Sequence, residues 1–215
     1  DGNDDLLVGA PNADVDGNAI GAAYLFYGPL TTGLTSGDAS VVFTGQLDQD
    51  PDNPSNHNAV NTGNTVAFVG DINNDGVGDI AIGDPSKKNS GSSNGEAYII
   101  FGRANTFDSN GETITGEYTG TISLNETSWR EQLGREILSD GVAREQMGGA
   151  IDAIGDVNGD GIDDLAVGAY RWDLDSDNPN QNNGAVFLWY GGQAIYDLEQ
   201  LMVSHTPENN TADVV

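Results

Sequence analysis

The chain has 215 residues, 34 acidic against 7 basic, and a formal charge of −27. Nucleic acid and anionic membranes are excluded as partners on that balance, because every phosphate would meet a like-charged surface. Aspartate outnumbers glutamate 25 to 9 and there are 30 glycines and no cysteine, which argues against a helix bundle and removes disulfides, zinc knuckles and thiol nucleophiles.

From the N-terminus, DGNDDLLVGAP (Asp1 to Pro11) opens inside an acidic loop and enters a strand. AAYLFYG from Ala22 is a second strand, and ASVV (Ala39 to Val42) a further one. Next come a strand at Val66 to Val69, an acidic loop, a strand at Ile80 to Ile82, a polar loop and a strand at Ala97 to Phe101. A weaker fourth strand follows near Gly120 to Leu124. These runs are short, rich in Val, Ile, Tyr and Phe, and bounded by Gly, Asn and Asp, as strands are. Trp129, Leu133 and Ile137 fall at i, i+4 and i+8 behind Thr127 or Ser128 as a cap, which predicts a short helical insertion ending near Met147. IGDVNGDGIDDLAVGAY from Ile154, GAVFLWYG from Gly184, a second short helix over Ile195 to Met202, and ADVV (Ala212 to Val215) complete the chain. The longest apolar runs, such as Ala185 to Tyr190, fall far short of the roughly 20 residues that span a bilayer, so membrane insertion is not expected.

One phrase recurs. VGDINNDGVGDIAIGDP from Val69 matches the phrase from Ile154, and the N-terminal segment is the same phrase without its first four loop residues. The closing acids Asp5, Asp79 and Asp164 lie 74 (79 − 5) and 85 (164 − 79) residues apart. A repeat of that length with four antiparallel strands has the make-up of a β-propeller blade. A stack of sandwich domains would need a unit nearer about 100 residues. The expected fold is all-β: a partial propeller of four-stranded blades with a short helical insertion. Its approximate repeats are 1–65, loop-truncated at the start, 66–147, and 148–215, incomplete at the end. A closed ring takes at least about four blades, so the chain reads as a fragment of one propeller.

The loop Asp-x-Asn-x-Asp-Gly-x-x-Asp is complete at Asp71 to Asp79 and at Asp156 to Asp164. Calcium takes six to eight oxygen ligands from carboxylates, amides and backbone carbonyls. Positions 1, 3 and 5 (Asp71, Asn73, Asp75; Asp156, Asn158, Asp160) can turn side-chain oxygens to one centre. Gly76 or Gly161 at position 6 permits the sharp reversal. The carbonyl of Val77 or Ile162 joins the set, and Asp79 or Asp164 closes it. An EF-hand is excluded, because position 12 is Ile82 or Val167 in place of glutamate and the flanks are strands. Three carboxylates brought together without a cation would repel, so Ca2+ is the expected cofactor and a stabilising one.

With GDINNDGVGDIAIGDP, GDVNGDGIDDLAVGAY and the truncated DGNDDLLVGAP in view, the chain resembles the FG-GAP repeats of integrin α-subunit propellers and their bacterial relatives. The resemblance spans essentially the whole chain at repeat level. It implies a seven-bladed parent propeller with calcium in loops joining the first two strands of certain blades. It also implies an extracellular setting, secreted or at the cell surface, and adhesive or ligand-binding work from the face opposite those loops. In the first copy it leaves only Asp1, the Asn3 carbonyl and Asp5 as ligands, a site that should be empty or weak. Departures are GDP and GAY in place of GAP, and TGN at Thr62 and MGG at Met147 in the first half-signature.

No nucleophile elbow, zinc-protease helix, Walker loop or dinucleotide loop occurs, so no enzyme is expected within the chain. The function expected is that of a calcium-binding, non-enzymatic propeller segment. Its partner would be a protein or glycan ligand at the cell surface, further copies, or the rest of its own polypeptide. The alternative is a propeller domain of a larger secreted hydrolase with its catalytic module elsewhere; a third reading is a surface-layer or filament component. Asp48, Asp50 and Asp52, and Asp173, Asp175 and Asp177, alternate without the motif's glycine or closing acid and read as solvated loops. His57 and His205 read as surface residues, and Lys87 and Lys88 as a solubilising tip. Arg130, Arg135 and Arg144 would pair with Glu131, Glu136 and Glu145. Asn125 and Asn209 head glycosylation sequons.

Overall fold

Short runs rich in β-branched and aromatic residues become strands here because glycine, asparagine and aspartate clusters end each one within a few residues. The computed structural model describes residues 3–45, 48–49, 57–58, 61–89, 92–107, 109–110, 112–124, 134–138, 146–172, 184–192 and 203–204. Twelve strands build three four-stranded sheets. In chain order they are β1 (Leu6–Ala10), β2 (Ala22–Phe26), β3 (Val41–Thr44), β4 (Thr65–Gly70), β5 (Asp79–Asp84), β6 (Glu96–Ile100), β7 (Gly120–Ser123), β8 (Gly134–Leu138), β9 (Met147–Gly155), β10 (Asp164–Ala169), β11 (Ala185–Trp189) and β12 (Val203–Ser204). The first sheet runs β1-β2-β3-β7, the second β4-β5-β6-β8 and the third β9-β10-β11-β12. Two-residue ribbons decorate the connections, among them Asp48–Gln49 with His57–Asn58. A three-residue 3-10 turn forms at Ser36–Asp38.

Two expectations are corrected. Gly134–Leu138, expected within a helical insertion, is the outer strand of the second sheet, antiparallel to β6 with Ala97 opposite Ile137. Residues four apart share a strand face as well as a helix face, so the spacing of Leu133 and Ile137 satisfies both periods, and pairing along β6 selects the strand. Trp129 and Leu133, like the second helix expected over Ile195 to Met202, lie outside the described residues. The second correction concerns Gly120–Ser123, which does not complete the second sheet. It adds to the edge of the first, parallel to β3, with Ile122 opposite Phe43. The described residues form these stacked sheets and not a closed ring.

Alternation along the strands assigns each face. Ile80, Ile82, Tyr98 and Ile100 of the second sheet pack with Ala23, Leu25, Val41 and Phe43 of the first. Ala81, Ala97 and Ile99 point the other way, into a core with Leu165, Val167, Phe187 and Trp189 of the third. The middle sheet is therefore covered on both faces, and β5 and β6 are buried at every position. A strand buried on both faces must be apolar almost continuously, which explains the runs IAI and AYII. The flanking sheets each leave one face open, where Leu6, Val8 and Val186 are exposed.

Candidate metal centre

Both complete loops join the first two strands of a sheet, Asp71–Asp79 between β4 and β5 and Asp156–Asp164 between β9 and β10. In the first, Asp71 accepts the N–H of Asp75 through Oδ1 at 2.9 Å and that of Gly76 through Oδ2 at 2.8 Å. Asn73 Oδ1 shares the Asp75 N–H at 3.0 Å, and Asp75 Oδ1 accepts the N–H of Val77 at 2.9 Å. The second loop repeats this pattern: Asp160 and Gly161 N–H to Asp156 (3.0 and 2.8 Å), Asp160 N–H to Asn158 (2.8 Å), and Ile162 N–H to Asp160 (2.9 Å). Positions 1, 3 and 5 are thus brought together in both copies. Gly76 (φ 90°) and Gly161 (φ 89°) are left-handed, where a side chain is disfavoured.

The closing acid plays a different local part. Asp79 is 1% exposed, its Oδ2 taking the N–H of Ile72 at 3.0 Å and its Oδ1 that of Gly102 at 2.7 Å. Asp164 does the same with Val157 (2.9 Å) and Gly191 (2.9 Å), and Asp5 accepts the N–H of Gly28 at 2.9 Å. In the two complete copies the acid brackets the loop to the glycine that follows the third strand, and in the truncated first copy it holds the glycine that follows β2. A Cβ on Gly102 would run into the Gly78 carbonyl, so that position takes no side chain. Burial pushes the Asp79 carboxyl up to about 7; Asp75 and Asp71 add to the rise, while the two N–H bonds oppose it. The exposed Asp156 moves the other way: hydrogen bonds, that of Gly161 foremost, hold its carboxyl below the usual range.

The donors are carboxylate, amide and carbonyl oxygens, the class a hard dication selects. A carboxylate oxygen that accepts one N–H retains a second lone pair. On donor chemistry the residues fit calcium. Among the described residues, no three His, Cys, Asp or Glu side chains are grouped to hold an ion; the loop oxygens turn toward backbone N–H groups. The carbonyls of Val77 and Ile162 stand as assignments from sequence. Of the first copy, Asp1 lies outside the described residues and Asp5 serves the bracket just described.

Some features escaped the sequence reading. Position 4 is also left-handed, at Asn74 (φ 59°) and Gly159 (φ 82°); asparagine and glycine are the residues that tolerate this, a signal visible in both copies. The two loops also touch, because Asp163 Oδ2 accepts the N–H of Asp71 at 3.3 Å. Lys87, expected at an exposed tip, is only 8% exposed.

The family model of the FG-GAP repeat matches residues 148–189, which span the Asp156–Asp164 loop and the strands around it. The chain is 29% identical to mouse (Mus musculus) integrin alpha-2 over 167 residues, covering 77% of this chain and 11% of that relative. The chain carries an FG-GAP repeat and resembles an integrin α subunit. It spans about a tenth of the length of that integrin. No helix among its described residues is long and apolar enough to cross a membrane.

Proposed function

We propose that this integrin α-like segment is a calcium-stabilised run of propeller blades from an extracellular or cell-surface protein, and that it works by binding rather than catalysis. The observation that carries the reading is the duplicated loop, with the same side chains on the same backbone N–H groups in two repeats of different surrounding sequence. The ligands assigned are Asp71, Asn73, Asp75, the Val77 carbonyl and Asp79, and Asp156, Asn158, Asp160, the Ile162 carbonyl and Asp164. Bound calcium would neutralise carboxylates crowded into nine residues. The chain's own part is to hold the loop wound through its left-handed positions and to fix its ends through the buried bracket. Binding only the folded loop, the ion would add to stability by mass action. A protein or glycan ligand is the partner proposed, repeats 1–65, 66–147 and 148–215 are the proposed units, and nucleic acid is excluded by charge.

Melting the chain in millimolar calcium and in excess chelator tests this. A fall of several degrees on chelation, reversed by calcium and not by magnesium, is the expected result. Superimposable melts would refute the metal assignment.

A further inference from the structure

Of the two junctions between sheets, the second, between the second and third sheets, is where the two complete loops meet. Asp71 and Ile72 of the first loop are anchored there on the third repeat at three points. The N–H of Asp71 donates to Asp163 Oδ2 at 3.3 Å, and the Ile72 carbonyl accepts the N–H of Gly192 at 2.7 Å. Between them the Ile72 side chain is fully buried in the core with Leu165 and Trp189. Ile72 stands between Asp71 and Asn73, positions 1 and 3 of its loop. Its own N–H donates to the closing acid Asp79 at 3.0 Å, and Gly191, next to Gly192, donates to the closing acid Asp164 at 2.9 Å. The two closing acids are thus joined through the buried backbone of Ile72, Gly192 and Gly191. Little slack is left in these contacts. Gly70 is left-handed at φ 74°, and a Cβ there would run into the Asp163 carboxylate. A Cβ on Gly191 would meet the carbonyls of Asp163 and Ile72. Position 8 varies in the recurring phrase (Asp4, Gly78, Asp163), so Asp163 is not one of the assigned ligands.

We propose that the two loops are coupled calcium sites, with Asp163 as the residue that positions the first loop for its ion. The inference rests on the calcium reading and adds that the sites fill cooperatively. Asp163 lies between Ile162 and Asp164, both assigned as ligands of the second site. Fixing those two residues fixes the Asp163 carboxylate and, through Asp164, Gly191 and Gly192. Asp71 and Ile72 of the first loop are held with them. A loop already kept in its bound form has less ordering left to do when its ion arrives, and the effect is reciprocal. Charge acts the other way. An empty loop carries negative charge that attracts calcium to its neighbour, an effect that salt screens. The hydrogen-bonded links are direct contacts between packed groups and are screened much less.

The N–H signals of Gly76 and Gly161 report the two loops separately. NMR follows both as calcium is added to the metal-free chain in about 1 M potassium chloride, where screening acts within about 3 Å. Both curves should be steeper than a single-site isotherm. Asp156→Ala, which disables the second site, should weaken calcium binding at Gly76 about tenfold, within the roughly 5- to 150-fold range of coupled sites. Asp71→Ala should weaken it at Gly161 by the same factor. Asp163→Ala should leave both sites able to bind while cutting the effect of Asp156→Ala to a few-fold. Asp163→Asn, whose amide oxygen can still accept the Asp71 N–H, should keep it. A merely structural role for Asp163 would lower the melting temperature without changing that factor, and a factor untouched by Asp163→Ala would overturn the role given to this residue. Single-site curves in the parent, with the Gly76 site unchanged or tighter in Asp156→Ala, would overturn the coupling and leave two independent calcium sites. No response at either glycine would refute the calcium reading itself, and the coupling with it.

Discussion

The two junctions are built from the same strands in the same register, yet they are packed differently at the end away from the loops. At the first, Asp84 (0% exposed) lies directly across from Glu96 (2% exposed). Thr62 Oγ1 donates to Asp84 at 2.7 Å, the N–H groups of Asn61 and Ser86 reach the same carboxylate at 3.0 and 3.2 Å, and Tyr98 donates to Glu96 at 2.8 Å. At the second junction the matching positions are Met147, Ala169 and Phe187 in the apolar core and Ala185 packed against it, and Ala169 lies across from Ala185. Four positions have changed character together. A buried carboxylate is tolerable only where its oxygens are satisfied, and an apolar corner only where no donor is stranded, so the substitutions are coupled.

That comparison can be broken from the apolar side. Ala169→Asp buries a carboxylate against Met147 without the hydroxyl that Thr62 gives Asp84, and we expect about 5 kcal/mol of destabilisation, seen in urea unfolding followed by circular dichroism. From the polar side, Asp84→Ala strands Thr62, Asn61 and Ser86 and should cost about 3 kcal/mol in the same assay. Converting the whole first quartet to its counterpart (Thr62→Met, Asp84→Ala, Glu96→Ala, Tyr98→Phe) should cost far less than Asp84→Ala alone, within about 1 kcal/mol of the parent. A penalty equal to or above that of the single change would show that the junctions are not interchangeable.

Protonation sharpens the contrast. Burial raises the Asp84 carboxyl above its ordinary 3.8, and Glu96 adds to the rise; Thr62, Asn61 and Lys87 oppose it. Between the unfolded and folded pKa values the folded chain holds the extra proton. This group's contribution is therefore full below the unfolded value and lost as pH rises through the folded one. Urea midpoints across that window should show Asp84→Asn gaining on the parent as pH increases, and parallel midpoints would contradict the assignment.

Much of this fold was written in period and punctuation. The repeat phrases place the acidic loops and the strands on either side of them, whereas the unbroken apolar runs IAI and AYII find their reason only in the structure, in a sheet covered on both faces. Pairing partners were less legible. Ile137 sits at a spacing that strand and helix share, and GTIS at Gly120 carries no mark telling it to join β3 rather than β6. In the loop, positions 1, 3, 5 and 6 follow from the chemistry of oxygen donors and a left-handed turn. The bracket from Asp79 to Gly102 was hidden because its halves lie 23 residues apart. TGN and GDP stand out as departures in the second repeat, but only contact between Thr62 and Asp84 reveals that one departure answers the other.

Calcium stoichiometry tests the central claim most directly. Calorimetric titration of the metal-free chain should show two sites, falling to one in Asp156→Ala and to none when Asp71→Ala is added, with both variants still cooperatively folded. Absence of calcium-dependent heat in the parent chain, or two sites persisting in the double variant, would contradict it.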